Sequence, residues 1–408
     1  MNKKPAIRFI VKQKYEIVAI FLILSMLSVY FTQIDDKYYG FIDSEKDPYE
    51  WHRTNNLDTP QGDDYIHYLI LTKHLLEDNH KNIFNLDRLR PPLMFIPTSI
   101  AILIFGFSIT QYLSLNLLWY LVLLICLYKI TSHYTNKKFG VLILLLFFSL
   151  PHTHTWLLNI YGSDLPLLSM CALVLLVMLK YPKLKTIKIG IVVGSLIGLT
   201  LLTRHIAAIY FLLPVTLYLL KNIKFRKNLA ILMVALLIVG GWFYVINFPV
   251  IYCTTTKETV FTKLVPDEKL KSVQREGYNF TRTRDIPKIE EQISSFKQKG
   301  LIPKLGRYLH DQRFTSYENF LFIFSFLLTP IYLVKNRKTL LDFKNLVLWT
   351  IPPYLALSLL TDTTQARFML PVFYTQMILM ITTIYIILRN VFKDTKITWV
   401  SNILKKDN

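Results

Sequence analysis

The stretch that decides the fold class is residues 165–179, LPLLSMCALVLLVML, which contains no charged residue. A second uncharged run, FGVLILLLFFSL, covers residues 139–150. A helix needs about 20 mostly apolar residues to cross the hydrocarbon core of a bilayer. Apolar runs recur along the 408-residue chain, which is 52% hydrophobic. The sequence therefore predicts an all-α polytopic membrane protein rather than a soluble protein with a buried core.

The apolar runs predict about ten transmembrane helices in a single integral membrane domain that covers residues 1–408. The spans lie near residues 15–31, 111–130, 138–152, 161–179, 186–203, 206–220, 229–250, 317–334, 345–360 and 368–389. Short turns at 204–205 and 361–367 make helical hairpins of the spans that flank them. The run 93–105 would be a helix of only about 20 Å, short of a core of roughly 30 Å. We interpret it as a re-entrant or interfacial helix.

The positive charges predict the orientation. Of the 47 Lys and Arg residues, 25 lie in six segments: 1–14, 129–138, 180–188, 221–228, 335–344 and 389–408. Cytoplasmic loops collect basic residues, so these segments and both termini are predicted to be cytoplasmic, in an inner or plasma membrane. The basic start MNKKPAIRFIVKQK indicates an uncleaved first span, with a cleaved signal as the alternative. The three cysteines indicate no disulfide framework.

Two hydrophilic loops are then predicted to face outward. The loop 32–91 has 12 acidic and 7 basic residues, and the loop 252–316 has 8 acidic and 13 basic residues. The second loop is a candidate acceptor lid or a solvated basic loop. No soluble C-terminal domain is predicted.

Three acids are candidate catalytic residues. Asp63 and Asp64 stand in QGDDYIHY (61–68), at the start of a predicted amphipathic interfacial helix that also carries Tyr68. Either acid alone could be a helix cap. An adjacent acidic pair repels itself, which favours a site role for at least one member. Asp164 opens a span at the predicted outer end and is interpreted as an N-cap or a site residue.

Four arginines are candidate phosphate ligands, because the guanidinium fork matches phosphate oxygens. Arg88 and Arg90 precede a double proline in DRLRPPLMF (87–95), where contact with lipid headgroups is the alternative. Arg204 and Arg367 lie on outer turns, where the charge rule disfavours them. His152, His154 and His205 are auxiliary candidates. The i and i+2 spacing of the first two histidines does not favour a metal pair.

These motifs and their order resemble the GT-C superfamily of membrane glycosyltransferases over most of residues 10–390. The chain is similar to the branch that contains protein O-mannosyltransferases and lipid A aminoarabinose transferases. The resemblance is carried by the acidic pair, the basic-Pro-Pro start of an apolar run, and three later motifs. These are GSD-x-P (162–166), LTRH (202–205) and ARF-x-L-P (366–371).

The resemblance implies a role for each matched residue. Asp63 corresponds to the catalytic carboxylate, with Asp64 second, and Asp164 corresponds to a second outer acid. Arg90 corresponds to the contact with the donor lipid phosphate, helped by Arg204 and Arg367. No cofactor is firmly implied. A divalent metal is possible but unsupported, because Leu89 stands where some members of the family have an acid.

The predicted partners are a sugar on a polyprenyl phosphate, membrane lipids, and a glycan, lipid or protein acceptor, with no nucleic acid. The predicted reaction is inverting single displacement, with Asp63 or Asp64 as general base. One alternative is a polysaccharide polymerase or ligase of the cell envelope. Another is a flippase or transporter of lipid-linked glycans, although the nearly charge-free span centres disfavour it.

Overall fold

The computed structural model describes the bundle of helices but not the two large loops. The described residues are 4–32, 93, 97, 100, 104, 109–150, 164–181, 186–222, 230–241, 315–335, 345–360 and 369–392. The regular elements in these ranges are helices, which confirms the all-α prediction for this part of the chain. They are α1 Lys4–Thr32, α2 Ile109–Tyr134, α3 Lys137–Phe148, α4 Asp164–Lys180, α5 Ile187–Leu201, α6 His205–Asn222, α7 Ala230–Gly241, α8 Ser316–Leu327, α9 Thr329–Lys335, α10 Leu346–Leu360 and α11 Leu370–Val391.

Each predicted span overlaps a described helix, and the span 317–334 overlaps two, α8 and α9. Within the described ranges, three helical segments are long and apolar enough to cross a membrane: Leu117–Tyr134, Ser316–Lys335 and Leu370–Val391. The count of ten spans stays a prediction. So does the re-entrant course of 93–105, because only residues 93, 97, 100 and 104 of that run are described.

Helix α11 is the central helix of the described bundle. It contacts α2, α3, α4, α8, α9 and α10, and every residue from Leu370 to Thr383 is buried. Its hydroxyls are used within the bundle, as where Thr375 Oγ1 donates to the Trp349 carbonyl oxygen of α10 at 3.3 Å. Because these contacts come from helices before and after the middle of the chain, both halves of the chain pack around α11.

The predicted hairpin at 204–205 is observed between α5 and α6. Helix α5 ends at Leu201, and the turn is closed where Leu202 N donates to the Gly198 carbonyl oxygen at 3.1 Å. The Thr203 backbone N and hydroxyl both donate to the Thr200 carbonyl oxygen, at 3.1 and 2.6 Å. Helix α6 begins at His205, and the two helices pack against each other. These bonds set the direction in which Arg204 leaves the turn.

Helices α5 and α7 approach closely along a row of glycines spaced four residues apart. A Cβ on Gly194 would lie 2.6 Å from the Ile231 carbonyl oxygen, and one on Gly198 would lie 2.9 Å from Ile238 Cβ. Small residues at this spacing let two membrane helices bring their backbones together. The α5–α7 contact therefore depends on the absence of side chains at these positions.

We expect Gly194→Ala to destabilise the protein by about 1–3 kcal/mol, because the backbone oxygen of Ile231 cannot move aside without shifting α7. The matched control is Gly240→Ala in α7, where an added Cβ meets no atom of the described residues within 4 Å. Alanine is the better helix former, so this control should be neutral or mildly stabilising. Thermal unfolding in detergent measures both variants. Equal unfolding temperatures for the two would contradict the close approach.

Candidate functional site

A buried ion pair joins the start of α4 to the turn between α5 and α6. The Arg204 guanidinium donates from Nη1 to Oδ1 of Asp164. The side chain of Asp164 is 4% exposed and that of Arg204 is 16% exposed. Screening by water is therefore weak here, and each charge would be costly to leave without the other.

The local sequence explains why the pair forms at this place. Asp164 is the first residue of α4, where the free N–H groups of the helix favour a negative charge. Pro166 in the first turn suits a helix start, and the apolar run 165–179 then packs inward. Because α4 packs against both α5 and α6, the turn that holds Arg204 comes to lie against the start of α4. The hydrogen bond that Asp164 makes is to Arg204.

The second carboxylate oxygen of Asp164 has unused hydrogen-bonding capacity. Oδ2 is buried and has no hydrogen-bond partner among the described residues. A buried carboxylate oxygen without a donor is costly, so the site favours a donor group at this position. Suitable donors include a sugar hydroxyl or another cationic side chain. Asp164 can thus bind Arg204 through Oδ1 while Oδ2 accepts a hydrogen bond from another group.

Leu93, the residue that directly follows Pro91 and Pro92, is bonded to the same turn. Leu93 N donates to the Leu202 carbonyl oxygen at 3.2 Å. Leu202 is two residues from Arg204. Leu93 is thereby bonded to the turn that holds Arg204.

Two of the predicted site residues are brought together, namely Asp164 and Arg204. His205 is the first residue of α6, and its side chain is not described. The remaining predicted site residues lie outside the described residues: Asp63, Asp64, Tyr68, Arg88, Arg90, His152, His154 and Arg367. Their roles stay predictions, as does the acceptor lid in 252–316.

A further buried acid, Glu318, lies outside the set of predicted site residues. Glu318 is 1% exposed in the first turn of α8. Its Oε2 accepts hydrogen bonds at 3.0 Å from both the backbone N and the hydroxyl of Thr315, while Glu318 N donates to Thr315 Oγ1 at 3.2 Å. This is a capping box, and its signal is TSYE at 315–318. Glu318 therefore contributes to the start of α8.

A double-mutant cycle tests the ion pair. We expect Asp164→Asn and Arg204→Gln each to lower stability, because each leaves a largely buried charge without its partner. The double variant should lose less than the sum of the two, with a coupling free energy of about 1–3 kcal/mol. Thermal and denaturant unfolding in detergent measure the three variants. Additive losses would show that the two charges do not stabilise each other.

Comparisons with known proteins agree with this architecture. Residues 89–245 match the family model described as dolichyl-phosphate-mannose-protein mannosyltransferase. The matched region contains residues 89–92 of the DRLRPP motif, Asp164, Arg204 and helices α2 to α7. No curated protein gives a significant match to the chain.

Among solved structures, the chain is similar to the oligosaccharyltransferase of Archaeoglobus fulgidus in the apo form. The TM-score is 0.53 and the identity 12%, over 97% of this chain and 53% of the other. A structure of the same enzyme in complex with Zn and sulfate gives a TM-score of 0.43 and 14% identity, over 84% and 46% of the two chains. The chain spans about half the length of the solved structures that it matches.

This likeness shows that the chain has a similar helical fold. The family match over residues 89–245 and this likeness in fold agree with the predicted resemblance to the GT-C superfamily of membrane glycosyltransferases.

Proposed function

We propose that the protein transfers a sugar from a polyprenyl-phosphate donor to an acceptor hydroxyl on the outer face of the membrane. The observation that carries this proposal is the placement of Arg204. Its guanidinium is oriented by Asp164, and the turn that holds Arg204 is bonded through Leu202 to Leu93, the residue after the DRLRPP motif. A fixed guanidinium with little exposure to water suits a phosphate whose negative charge increases during the reaction.

Chain connectivity supports a shared phosphate site. Arg90 precedes Leu93 by three residues, so the two Cα atoms are at most about 11 Å apart. Leu93 is bonded to Leu202 in the turn of Arg204. An arginine side chain is long enough to cover much of such a distance. Arg90 and Arg204 are thus proposed to hold one lipid phosphate, with Arg88 and Arg367 as further candidates.

The proposed chemistry is a single displacement at the anomeric carbon. The acceptor oxygen forms a bond to that carbon while the bond from the carbon to the phosphate oxygen breaks. The acceptor proton passes to Asp63 or Asp64, and the electron pair leaves with polyprenyl phosphate. The arginines stabilise the charge on the departing phosphate. Attack from the side opposite the leaving group inverts the anomeric centre.

Asp164 is proposed to act through Arg204 rather than as the base. One of its oxygens is taken up by the guanidinium, and the side chain is 4% exposed, so an acceptor hydroxyl would have little access to it. The proposed role is to hold Arg204 in place for the donor phosphate. Such a residue affects both binding of the donor and the rate.

Release of polyprenyl phosphate tests the function without knowledge of the acceptor. Purified protein in lipid nanodiscs is incubated with polyprenyl-phosphate hexoses and pentoses and with an extract of cell-envelope glycans, lipids and proteins. We expect one donor to yield free polyprenyl phosphate only when acceptor is present. Nucleotide sugars serve as the control and should yield no transfer. Transfer from a nucleotide sugar, or from no donor in the panel, would contradict the proposal.

A further inference from the structure

Aromatic rings from three helices form a cluster in the core of the bundle. The Phe322 ring of α8 lies 5.5 Å from the Phe373 ring of α11 and 6.4 Å from the Tyr354 ring of α10, measured between centroids. Phe326 of α8 lies 4.7 Å from the same Tyr354 ring. We call these four residues the aromatic cluster. It marks the place where α8, α10 and α11 meet.

Helix α8 and the short helix α9 run opposite to α10. Tyr354 of α10 contacts Phe322 of α8, whereas Leu346 N at the start of α10 donates to the Tyr332 hydroxyl of α9 at 3.4 Å. Ser325 follows Phe322 by three residues and therefore lies on the same face of α8, one turn closer to Tyr332.

Thr350 of α10 and Gln376 of α11 lie on the same side of the contact between these two helices. Thr375 Oγ1 donates to the Trp349 carbonyl oxygen at 3.3 Å, which places these two residues opposite each other. In antiparallel right-handed helices, the residues that follow an opposed pair turn to the same side. Thr350 and Gln376 are the next residues. Phe373, one turn from Gln376, contacts α8, so this is the side that faces α8.

Three polar residues thus converge one turn below the aromatic cluster. Ser325, Thr350 and Gln376 come from three different helices, and each is 0–1% exposed. We call them the polar site. It lies in the core between α8, α10 and α11, and it contains none of the residues of the candidate active site.

The amide of Gln376 is the unsatisfied group of the polar site. Neither its Oε1 nor its Nε2 has a hydrogen-bond partner among the described residues. The Thr350 hydroxyl donates to two carbonyl oxygens of its own helix at 3.3 Å, and the Ser325 hydroxyl donates to the Phe322 carbonyl oxygen at 2.6 Å. These hydroxyl protons are therefore engaged and do not serve Oε1. A buried amide with both atoms unpaired is costly, so the site favours a ligand.

The chemistry of the amide identifies the ligand. Oε1 needs a donor and Nε2 needs an acceptor. A metal cation cannot accept from Nε2, and a fully ionised anion cannot donate to Oε1. A water molecule does both, and its second O–H can donate to the hydroxyl oxygen of Thr350 or Ser325, which still has lone pairs. That gives the water about three hydrogen bonds, the usual number for a buried water.

We propose that the polar site binds an ordered water molecule on the amide of Gln376. This water links α11 to α10 or α8 through hydrogen bonds in a part of the core where the surrounding contacts are between aromatic rings. The site goes beyond the sugar-transfer proposal and does not depend on it.

Density for the water tests the site directly. The full-length protein in lipid nanodiscs is imaged by cryo-electron microscopy at a resolution that shows ordered waters. We expect one density within hydrogen-bonding distance of both amide atoms of Gln376. It should be absent in Gln376→Leu, which keeps a similar volume without the amide. Thr382→Val is the matched control, because the Thr382 hydroxyl donates to the Ile378 carbonyl oxygen of its own helix at 2.7 Å. The density at Gln376 should persist in this variant.

Thermal unfolding gives a second measurement. If water satisfies the amide, Gln376→Leu loses these hydrogen bonds and should unfold at or below the wild-type midpoint. If the amide is unpaired in a dry core, its removal relieves a cost and the midpoint should rise by several degrees. Should Gln376→Leu fail to fold, Thr350→Val and Ser325→Ala replace it. One of the two should weaken the water density by removing its third partner.

Three results would overturn the proposal. The first is a wild-type map that shows other buried waters but none at Gln376. The second is density at the amide that belongs to a side chain of the protein. The third is a clear rise of the unfolding midpoint in Gln376→Leu.

Discussion

Arg204→Gln is expected to lower the rate of polyprenyl phosphate release by about 100- to 1,000-fold. This is the usual loss when one group that stabilises developing charge is removed from a catalytic site. Glutamine keeps a hydrogen-bond donor but not the positive charge, and it also breaks the pair with Asp164. Arg204→Lys keeps the charge without the planar fork. Its rate should lie between those of the wild type and the glutamine variant, which separates the contribution of charge from that of geometry.

The matched control is Arg389→Gln, which removes the same charge from an exposed position in the last turn of α11. Its rate should stay close to that of the wild type. The stability loss expected for Arg204→Gln makes a second readout necessary, so release is normalised to folded protein measured by gel filtration and thermal unfolding. Normal release by folded Arg204→Gln would exclude Arg204 from the phosphate site.

Replacement of the base in the first loop is expected to have a similarly large effect. Asp63→Asn and Asp64→Asn keep the size of the side chain but cannot take the acceptor proton, so the variant of the base should lose about 100- to 10,000-fold in kcat. The other variant should lose much less, because capping or positioning contributes less than proton transfer. We expect Asp63 to be the base, since it best matches the first acid of the family motif. The KM for the donor should change little in its variant.

Asp58→Asn is the control within the same loop, since it removes an acid five residues before Asp63. It should retain wild-type activity. Full activity in both Asp63→Asn and Asp64→Asn would refute the general base in this loop. A polysaccharide polymerase or ligase that relies on basic loop residues would then be the better explanation.

The helices could be predicted from the sequence because the signal for them is local. An apolar run between charged segments indicates a helix wherever it lies in the chain, and each predicted span overlaps a described helix. The ends of the helices are less clearly indicated by the sequence. The span 317–334 is divided at Leu328 into α8 and α9, next to Pro330, which has no N–H to donate within a helix.

For the described part of the site, the sequence predicted the two residues but not the contact between them. Asp164 and Arg204 stood out because charges are unusual at the predicted outer ends of apolar spans. Nothing local indicated that they form a pair with each other. Glu318 belongs to a capping box that is visible in the sequence as TSYE, a pattern that predicts a helix start rather than a catalytic acid.

By itself, the sequence determined the class of protein, the positions of the helices and the chemical types at the candidate site, since hydrophobicity and charge are properties of short segments. Only the tertiary structure decided which distant residues meet. Asp164 and Arg204 are 40 residues apart, and they become partners because α4 packs against α5 and α6. The glycines of α5 are likewise needed only because α7 packs closely against them. Such pairings depend on how whole helices pack, which the pattern within one helix does not specify.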